Sequence, residues 1–233
     1  SALERDKVVA ALPALHGALG EDGEIQTLLE LIGMPYVGTH SHACRVAFDK
    51  GTARELLRRA GIPVPDSVGL SAQTFRDIGA AALMEHVMHR LGSRVVVKPT
   101  RGGSALGVSG VDGLAALPSA LVGTYAYCED ALIERFHDGV DVSVVVLETD
   151  DGLTSLMPVE ITYEKGHEFD FSARYTAEFV SLNRPDLPED QIDRLGQVAR
   201  DAHRALGLRD VSRSDFIVSE DGSFVLLETA ITP

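Results

Sequence analysis

The run Arg94-Val95-Val96-Val97-Lys98-Pro99-Thr100-Arg101-Gly102-Gly103-Ser104-Ala105-Leu106-Gly107-Val108 constrains this chain more than any other part of it. The β-branched valines favour a strand, which delivers Lys98 at its end. A glycine-rich turn follows, and a second strand leaves from Gly107. Such a loop lets backbone N–H groups approach phosphate oxygens closely, and Ser104 adds a hydroxyl donor. It is not the common strand-to-helix phosphate loop. Gly102 and Gly107 have the G-x-x-x-x-G spacing, but Val108-Ser109 stands where that loop needs Lys-Ser/Thr, and no helix follows. Read by itself, the run fits either a phosphate cradle or a tight hairpin carrying a solvated lysine.

The rest of the chain reads as mixed helix and sheet. Residues 7–12 form an apolar run ending at Pro13, as a buried strand would. Ile25, Leu28, Leu29 and Ile32 recur at helical spacing up to Gly33, and residues 34–38 read as the next strand, giving one turn of an α/β layer. Helices are predicted over 49–60, 80–91 and 188–206. The prolines at 63 and 65 make an extended segment and a candidate domain boundary. Strands are predicted over 94–97, 131–136, 140–147 and 153–159, and a hairpin over 214–218 and 223–227. Residues 163–184 are polar and aromatic without a clean period and read as a long functional loop.

Composition excludes several classes. The 233 residues can hold one large domain or two modest ones, and 45% hydrophobic with 24% charged residues is a globular balance. A net charge of −14 argues against nonspecific nucleic-acid binding, which needs clustered Lys and Arg, although a negative chain can still hold a local anion site. No apolar run reaches the roughly 18 residues of a membrane span, and the first residues, Ser1 to Lys7, lack the apolar stretch of a secretory signal. Cys44 and Cys128 lie far apart and read as reduced structural thiols. The expectation is a cytoplasmic protein with no nucleic-acid or membrane partner.

Three further groups carry chemistry. Strand alternation puts Arg213 and Asp215 on one face, with Glu228 at the end of the partner strand. Two carboxylates there suit Mg²⁺ bridging ATP phosphates, and an arginine beside them suits a developing oxyanion; an exposed cross-strand salt bridge is the plainer alternative. Glu134 interrupts an apolar strand and Asp141 follows it; either could accept from an adenine amino group or ribose hydroxyls, or be an exposed strand-face acid. His16 lies in the glycine-rich stretch Leu15–Gly23, past a strand's carboxyl end, where open α/β sheets bind ligands, or it is a surface histidine.

Taken in order, these groups resemble the D-alanine–D-alanine ligase family of the ATP-grasp superfamily. The matching residues are His16-Gly17 with Gly20-Glu21-Asp22-Gly23, Asp49-Lys50, Gly61-Ile62-Pro63-Val64-Pro65, Val97-Lys98-Pro99 with Gly103-Ser104 and Gly107-Val108, His167-Glu168-Phe169-Asp170 with Ala173-Arg174-Tyr175, Arg213-Ser214-Asp215-Phe216, and Glu228. The resemblance implies an ATP-grasp fold of α/β and α+β parts. A partial N-terminal α/β domain would occupy 1–40, a central subdomain with the glycine loop 41–130, and a C-terminal subdomain with the metal site and mobile loop 131–233.

It also implies ATP-dependent joining of two D-alanines through an acyl phosphate, for peptidoglycan synthesis. Lys50, Lys98 and Gly103 would hold ATP phosphates, Glu134 and Asp141 would read adenine and ribose, and Asp215 and Glu228 would bind Mg²⁺, or Mn²⁺ in its place. Arg213 would sit at the oxyanion and His16 near the first substrate. Ser104 and Tyr175 would tie the mobile loop over the site, and Tyr175 implies an amine as second substrate. A homodimer through the N-terminal region is a further implication. The chain departs from the family pattern at Ala230, where Asn is usual two residues after the metal-binding Glu, and at Ala105, where a second serine is usual. It begins inside the N-terminal domain and stops before the residues that contact the second substrate. Two alternatives therefore stay open: a related ligase for other amino acids, and a nucleotide-binding protein without ligase activity.

Overall fold

The computed structural model describes residues 8–78, 80–163 and 180–232. Its described residues build two antiparallel sheets, each with its own apolar core. The first holds β1 (Ser67–Ser71), β2 (Arg94–Pro99), β3 (Ser109–Asp112) and β4 (Asp130–Arg135) in the order β1-β4-β2-β3. The second holds β5 (Val140–Thr149), β7 (Val159–Tyr163), β8 (Val180–Asn183), β9 (Val211–Val218) and β10 (Phe224–Ala230) in the order β10-β9-β5-β7-β8, with β6 (Gly152–Ser155) paired to β5.

Seven helices among the described residues cover these sheets and lead into them: α1 (Glu24–Leu31), α2 (Ser41–Phe48), α3 (Lys50–Arg59), α4 (Ala72–Ile78), α5 (Ala80–Leu91), α6 (Leu117–Tyr125) and α7 (Glu189–Ala205). On the first sheet, Val95, Val97, Ala131 and Ile133 pack against Leu91 of α5 and Leu117 and Leu121 of α6. On the second, Val142, Val144, Val146, Phe216 and Leu226 pack against Leu195, Ala199 and Ala202 of α7, with Cys44 of α2 and Leu57 of α3 joining the same core. Helix α7 starts with Glu189 and Asp190 and ends with His203 and Arg204, charges that suit the helix dipole at each end. Helix α3 is capped by Asp49, whose side chain accepts from the Thr52 N–H at 2.9 Å.

Several expectations need correcting. Residues 7–12 are no buried strand: Ala11 makes one parallel bridge to Tyr36, while Val9 and Leu12 are 85% and 71% exposed. A strand is buried only when layers cover it, and among the described residues nothing covers this one. The apolar stripe of α1 is only partly covered: Ile25 and Leu29 are half-buried, while Leu28, and Ile32 just past the helix end, are more than half exposed. The strand expected over 153–159 is broken. β6 closes a hairpin with β5, Pro158 has no N–H to give a ladder, and β7 then pairs with the other end of β5. The end of the expected loop 163–184 is strand β8, paired with β7; residues 164–179 lie outside the described residues. β4 pairs with both β1 and β2, so the first sheet runs past the division expected at 130/131, and α2 and α3, expected with the first sheet, pack on the second core.

The buried His203 generates a test. Its ring is 1% exposed, Nδ1 lies 2.8 Å from Ser212 Oγ, and Nε2 has no partner among the described residues. Burial pushes its pKa below the ordinary 6.5, against the pull of Glu148. Unfolding restores the ordinary value, so the unfolded chain binds more protons and stability falls as pH drops through and below that range. Denaturant unfolding between pH 7.5 and 5.5 is expected to show a steeper loss for the wild type than for His203→Gln.

Candidate active site

A cleft of about 490 Å³ lies between the sheets. Asp141 and Ser143 of β5, Arg213 and Asp215 of β9, and Glu228 and Ala230 of β10 line one side. Lys98 and the loop 102–106 line the other, with His16, Glu21 and Lys50 at its margins.

Strand geometry explains the central pair of carboxylates. In β9, Ser212, Ser214, Phe216 and Val218 are buried, which turns Arg213 and Asp215 to the cleft. In β10, Phe224 and Leu226 face the core, so strict alternation would send Glu228 there too. A bulge intervenes. Leu226 stays opposite Phe216 while Glu228 falls opposite Asp215, and Thr229 returns to the core face with its hydroxyl 3.2 Å from that of Ser214. The extra residue, Leu227, offers its carbonyl to Arg54 Nη2 at 3.0 Å, and the Leu226 N–H donates to Pro63 O at 2.8 Å. The edge strand is thereby covered.

Two carboxylates directly opposite on adjacent strands repel. Arg213 answers one of them, its Nε and Nη2 donating to the two oxygens of Asp215 at 2.9 Å each. The Asp215 charge pushes the arginine pKa up further, so it stays cationic. Ser143 Oγ donates to Asp215 Oδ1 at 2.5 Å. On the other side Lys50 Nζ lies 3.7 Å from Glu228 Oε2 and donates to Gly102 O at 2.6 Å.

Lys98 is buried, and burial pushes its pKa down against the attraction of Glu134, whose Oε1 lies 2.9 Å from Nζ. The same oxygen lies 2.5 Å from Arg54 Nη1, an ion pair that lacks the alignment of a hydrogen bond. Glu134, expected at adenine, therefore does not line the cleft: its side chain is 3% exposed and its carboxylate is taken up by two cations.

The glycine loop is held in an uncommon conformation. Ser104 and Ala105 have φ of 56° and 59°, a left-handed region that non-glycine residues rarely occupy. Strain of this kind collects where a loop must present its backbone to a ligand. Gly107 follows at φ 72°, and a Cβ there would stand 2.7 Å from the Tyr127 ring and 3.0 Å from Pro99.

The structure thus brings His16, Lys50, Lys98, Gly103, Ser104, Asp141, Arg213, Asp215 and Glu228 to one cleft. Tyr175, with the rest of 167–175, lies outside the described residues. Sequence reasoning missed the functional placing of three side chains. Glu21, which accepts from the Gly17 N–H at 2.6 Å, was in sight within the Gly20–Gly23 run. Ser143 shares a strand face with Asp141, two residues away. Arg54 sits one helical turn beyond Lys50 on α3 and could have been placed beside it.

Among the described residues no group of three or more His, Cys, Asp and Glu could hold a metal ion. Asp215 and Glu228 still fit Mg²⁺, which is commonly held by one or two carboxylates together with substrate phosphates and water. Ala230, opposite Arg213, supplies no side-chain oxygen.

The chain is similar to known proteins over nearly its whole length. Residues 2–39 match the family model described as D-ala D-ala ligase N-terminus, and residues 56–233 the one described as D-ala D-ala ligase C-terminus. The D-alanine–D-alanine ligase of Geobacter sulfurreducens is 36% identical over 99% of the chain and 69% of its own length. That of Corynebacterium aurimucosum is 40% identical over 97% of the chain, which spans 63% of that relative. Among solved structures, the VanG D-Ala:D-Ser ligase of Enterococcus faecalis superposes with a TM-score of 0.84 at 29% identity, over 97% of this chain and 64% of that one. The D-alanine–D-alanine ligase of Bacillus anthracis complexed with ATP gives 0.80 at 25% identity, over 99% and 70%.

The loop geometry generates a second test. Gly107→Ala is expected to cost on the order of 1–2 kcal/mol from the left-handed backbone alone, and more from the Tyr127 contact. In a Tyr127→Ala background the ring contact is gone and only the Pro99 contact stays, so denaturant unfolding should show a smaller loss there than in the wild type.

Proposed function

The chain belongs to the D-alanine–D-alanine ligase family and has its ATP-grasp fold, and from that premise we propose that it joins two D-alanines at the expense of ATP. The observation that carries the reading is the convergence of Lys50, Lys98, Arg213, Asp215 and Glu228 on one cleft beneath a glycine loop. Five charged side chains, four from the two sheets and one from helix α3, meet there although the chain as a whole is strongly acidic.

In this reading Lys50, Lys98 and the backbone of Gly103 hold the ATP phosphates, and Asp141 meets the ribose. Glu134 acts through Lys98, fixing its ammonium group. Asp215 and Glu228 would hold Mg²⁺, whose chemistry when bound is to neutralise phosphate charge. The γ-phosphoryl passes to a carboxylate oxygen of the first D-alanine, near His16, giving ADP and an acyl phosphate. The amine of the second D-alanine attacks the acyl carbon and inorganic phosphate leaves. Arg213 donates to the oxyanion of the tetrahedral intermediate. Ser104 and Tyr175 would close the loop over the site, since an acyl phosphate left in water hydrolyses. The product would serve peptidoglycan synthesis in the cytoplasm. No helix among the described residues is long and apolar enough to cross a membrane. The homodimer implied by the resemblance belongs to the same proposal, supported by the exposed apolar side chains of α1.

A second reading, a different amino acid as second substrate, is favoured by the likeness to a D-Ala:D-Ser ligase. The two separate in one assay, in which ATP, Mg²⁺ and D-alanine are supplied alone or with D-serine and the product is identified by mass. Dipeptide from D-alanine alone supports the first reading; product only with D-serine supports the second. Asp215→Ala is expected to lower turnover by at least about a hundredfold, as loss of a key electrostatic group does. Lys98→Ala should chiefly weaken ATP binding. Unchanged turnover in the Asp215 variant would remove the metal assignment.

A further inference from the structure

One of the most thoroughly buried charged groups beside the cleft is one that the proposed mechanism leaves unused. Arg54 is 3% exposed, yet it is a helix-borne arginine one turn beyond Lys50. Its guanidinium reaches in two directions. Nη1 lies 2.5 Å from Glu134 on β4 of the first sheet, and Nη2 donates at 3.0 Å to the Leu227 carbonyl on β10 of the second. These contacts matter because of where they fall. Glu134 holds Lys98, and Leu227 is the extra residue of the bulge that turns Glu228 toward Asp215.

A bulge leaves one carbonyl without a ladder partner, and a buried carbonyl without a donor is costly. Unless something holds it, the bulge can be pushed along the strand, which would turn Glu228 toward the core face that Phe224 and Leu226 already occupy. Only a planar fork can meet both partners at once; an ammonium group on a shorter reach serves one. Helix α3 is itself fixed, by its Asp49 cap and by Ala53 and Leu57 in the second core. Arg54 is thus a rigidly mounted clamp with one prong in each sheet.

We infer that Arg54 is a positioning residue that couples the two halves of the nucleotide site, locking the β10 bulge so that Glu228 faces the metal while holding the Glu134–Lys98 pair. It touches no substrate and acts through Leu227, Glu228 and Glu134. The inference rests on the ligase reading of the cleft.

The experiment measures Mn²⁺ binding by electron paramagnetic resonance in the presence of a non-hydrolysable ATP analogue, alongside metal-free binding of the same analogue. Arg54→Lys keeps the charge beside Glu134 but not the second contact. The double variant Arg54→Met/Glu134→Gln removes the ion pair as a unit, so that no buried charge is stranded. In both, Mn²⁺ affinity is expected to fall about tenfold or more, as it does when a group supporting a metal ligand is removed. In Arg54→Lys the metal-free affinity for the analogue should hold, a split that a general loss of stability would not produce. Wild-type Mn²⁺ affinity in either variant would overturn the inference while leaving the ligase reading intact. A wild-type protein that binds neither the analogue nor Mn²⁺ would overturn the ligase reading, and this inference with it.

Discussion

Asp215 and Glu228 stand directly across from each other on β9 and β10, and two negative charges in that register cannot persist without cations. The surrounding structure supplies them. Arg213 grips both oxygens of Asp215, Lys50 approaches Glu228, and Lys98 lies behind the glycine loop with Glu134 as its own counter-charge. The carboxylates come from the second sheet, Lys98 and Glu134 from the first, and Lys50 from helix α3, which precedes both in sequence. The charge balance therefore also defines how the sheets meet. In the proposed reading a nucleotide with its divalent cation would enter an arrangement whose charges are already balanced, and electrostatic stabilisation of this kind works because little has to reorganise.

The glycine loop shows the same economy in backbone terms. Ser104 and Ala105 hold left-handed conformations in succession, and Gly107 closes the turn where no side chain would fit beside Tyr127. Thr124 fixes the far end by donating to the Gly107 carbonyl at 2.7 Å. Within this hairpin the strain falls on residues that face the cleft, while the strands on either side are regular and buried at Val95, Val97 and Val111.

How far the sequence disclosed this depended on what kind of signal each residue carried. Lys98, Arg213 and Asp215 were legible because they sit in regular strands whose alternation can be counted. Glu228 was placed at the end of the partner strand by the hairpin pattern, but the face it takes was not legible there. Counted from Phe224 and Leu226 it belongs in the core, and the bulge that reverses its face leaves no mark in the order of residue types. Glu134 was correctly seen as an acid interrupting an apolar strand, but which partner it meets depends on Arg54, a contact across eighty positions. The burial of residues 7–12 was over-read, because an apolar run says which residues seek cover and not what covers them. The helices over 49–60, 80–91 and 188–206 agreed closely with α3, α5 and α7, where caps and period pointed the same way.

The central claim is that this cleft activates a carboxylate by phosphoryl transfer, and the direct measurement follows the oxygen. D-Alanine carrying ¹⁸O in its carboxylate would be supplied with ATP and Mg²⁺, and the released phosphate analysed by mass. If an acyl phosphate forms and the amine displaces phosphate from it, each phosphate released with a dipeptide carries one labelled oxygen. Unlabelled phosphate accompanying the dipeptide would contradict the account, because the carboxylate oxygen would then never have been bonded to phosphorus.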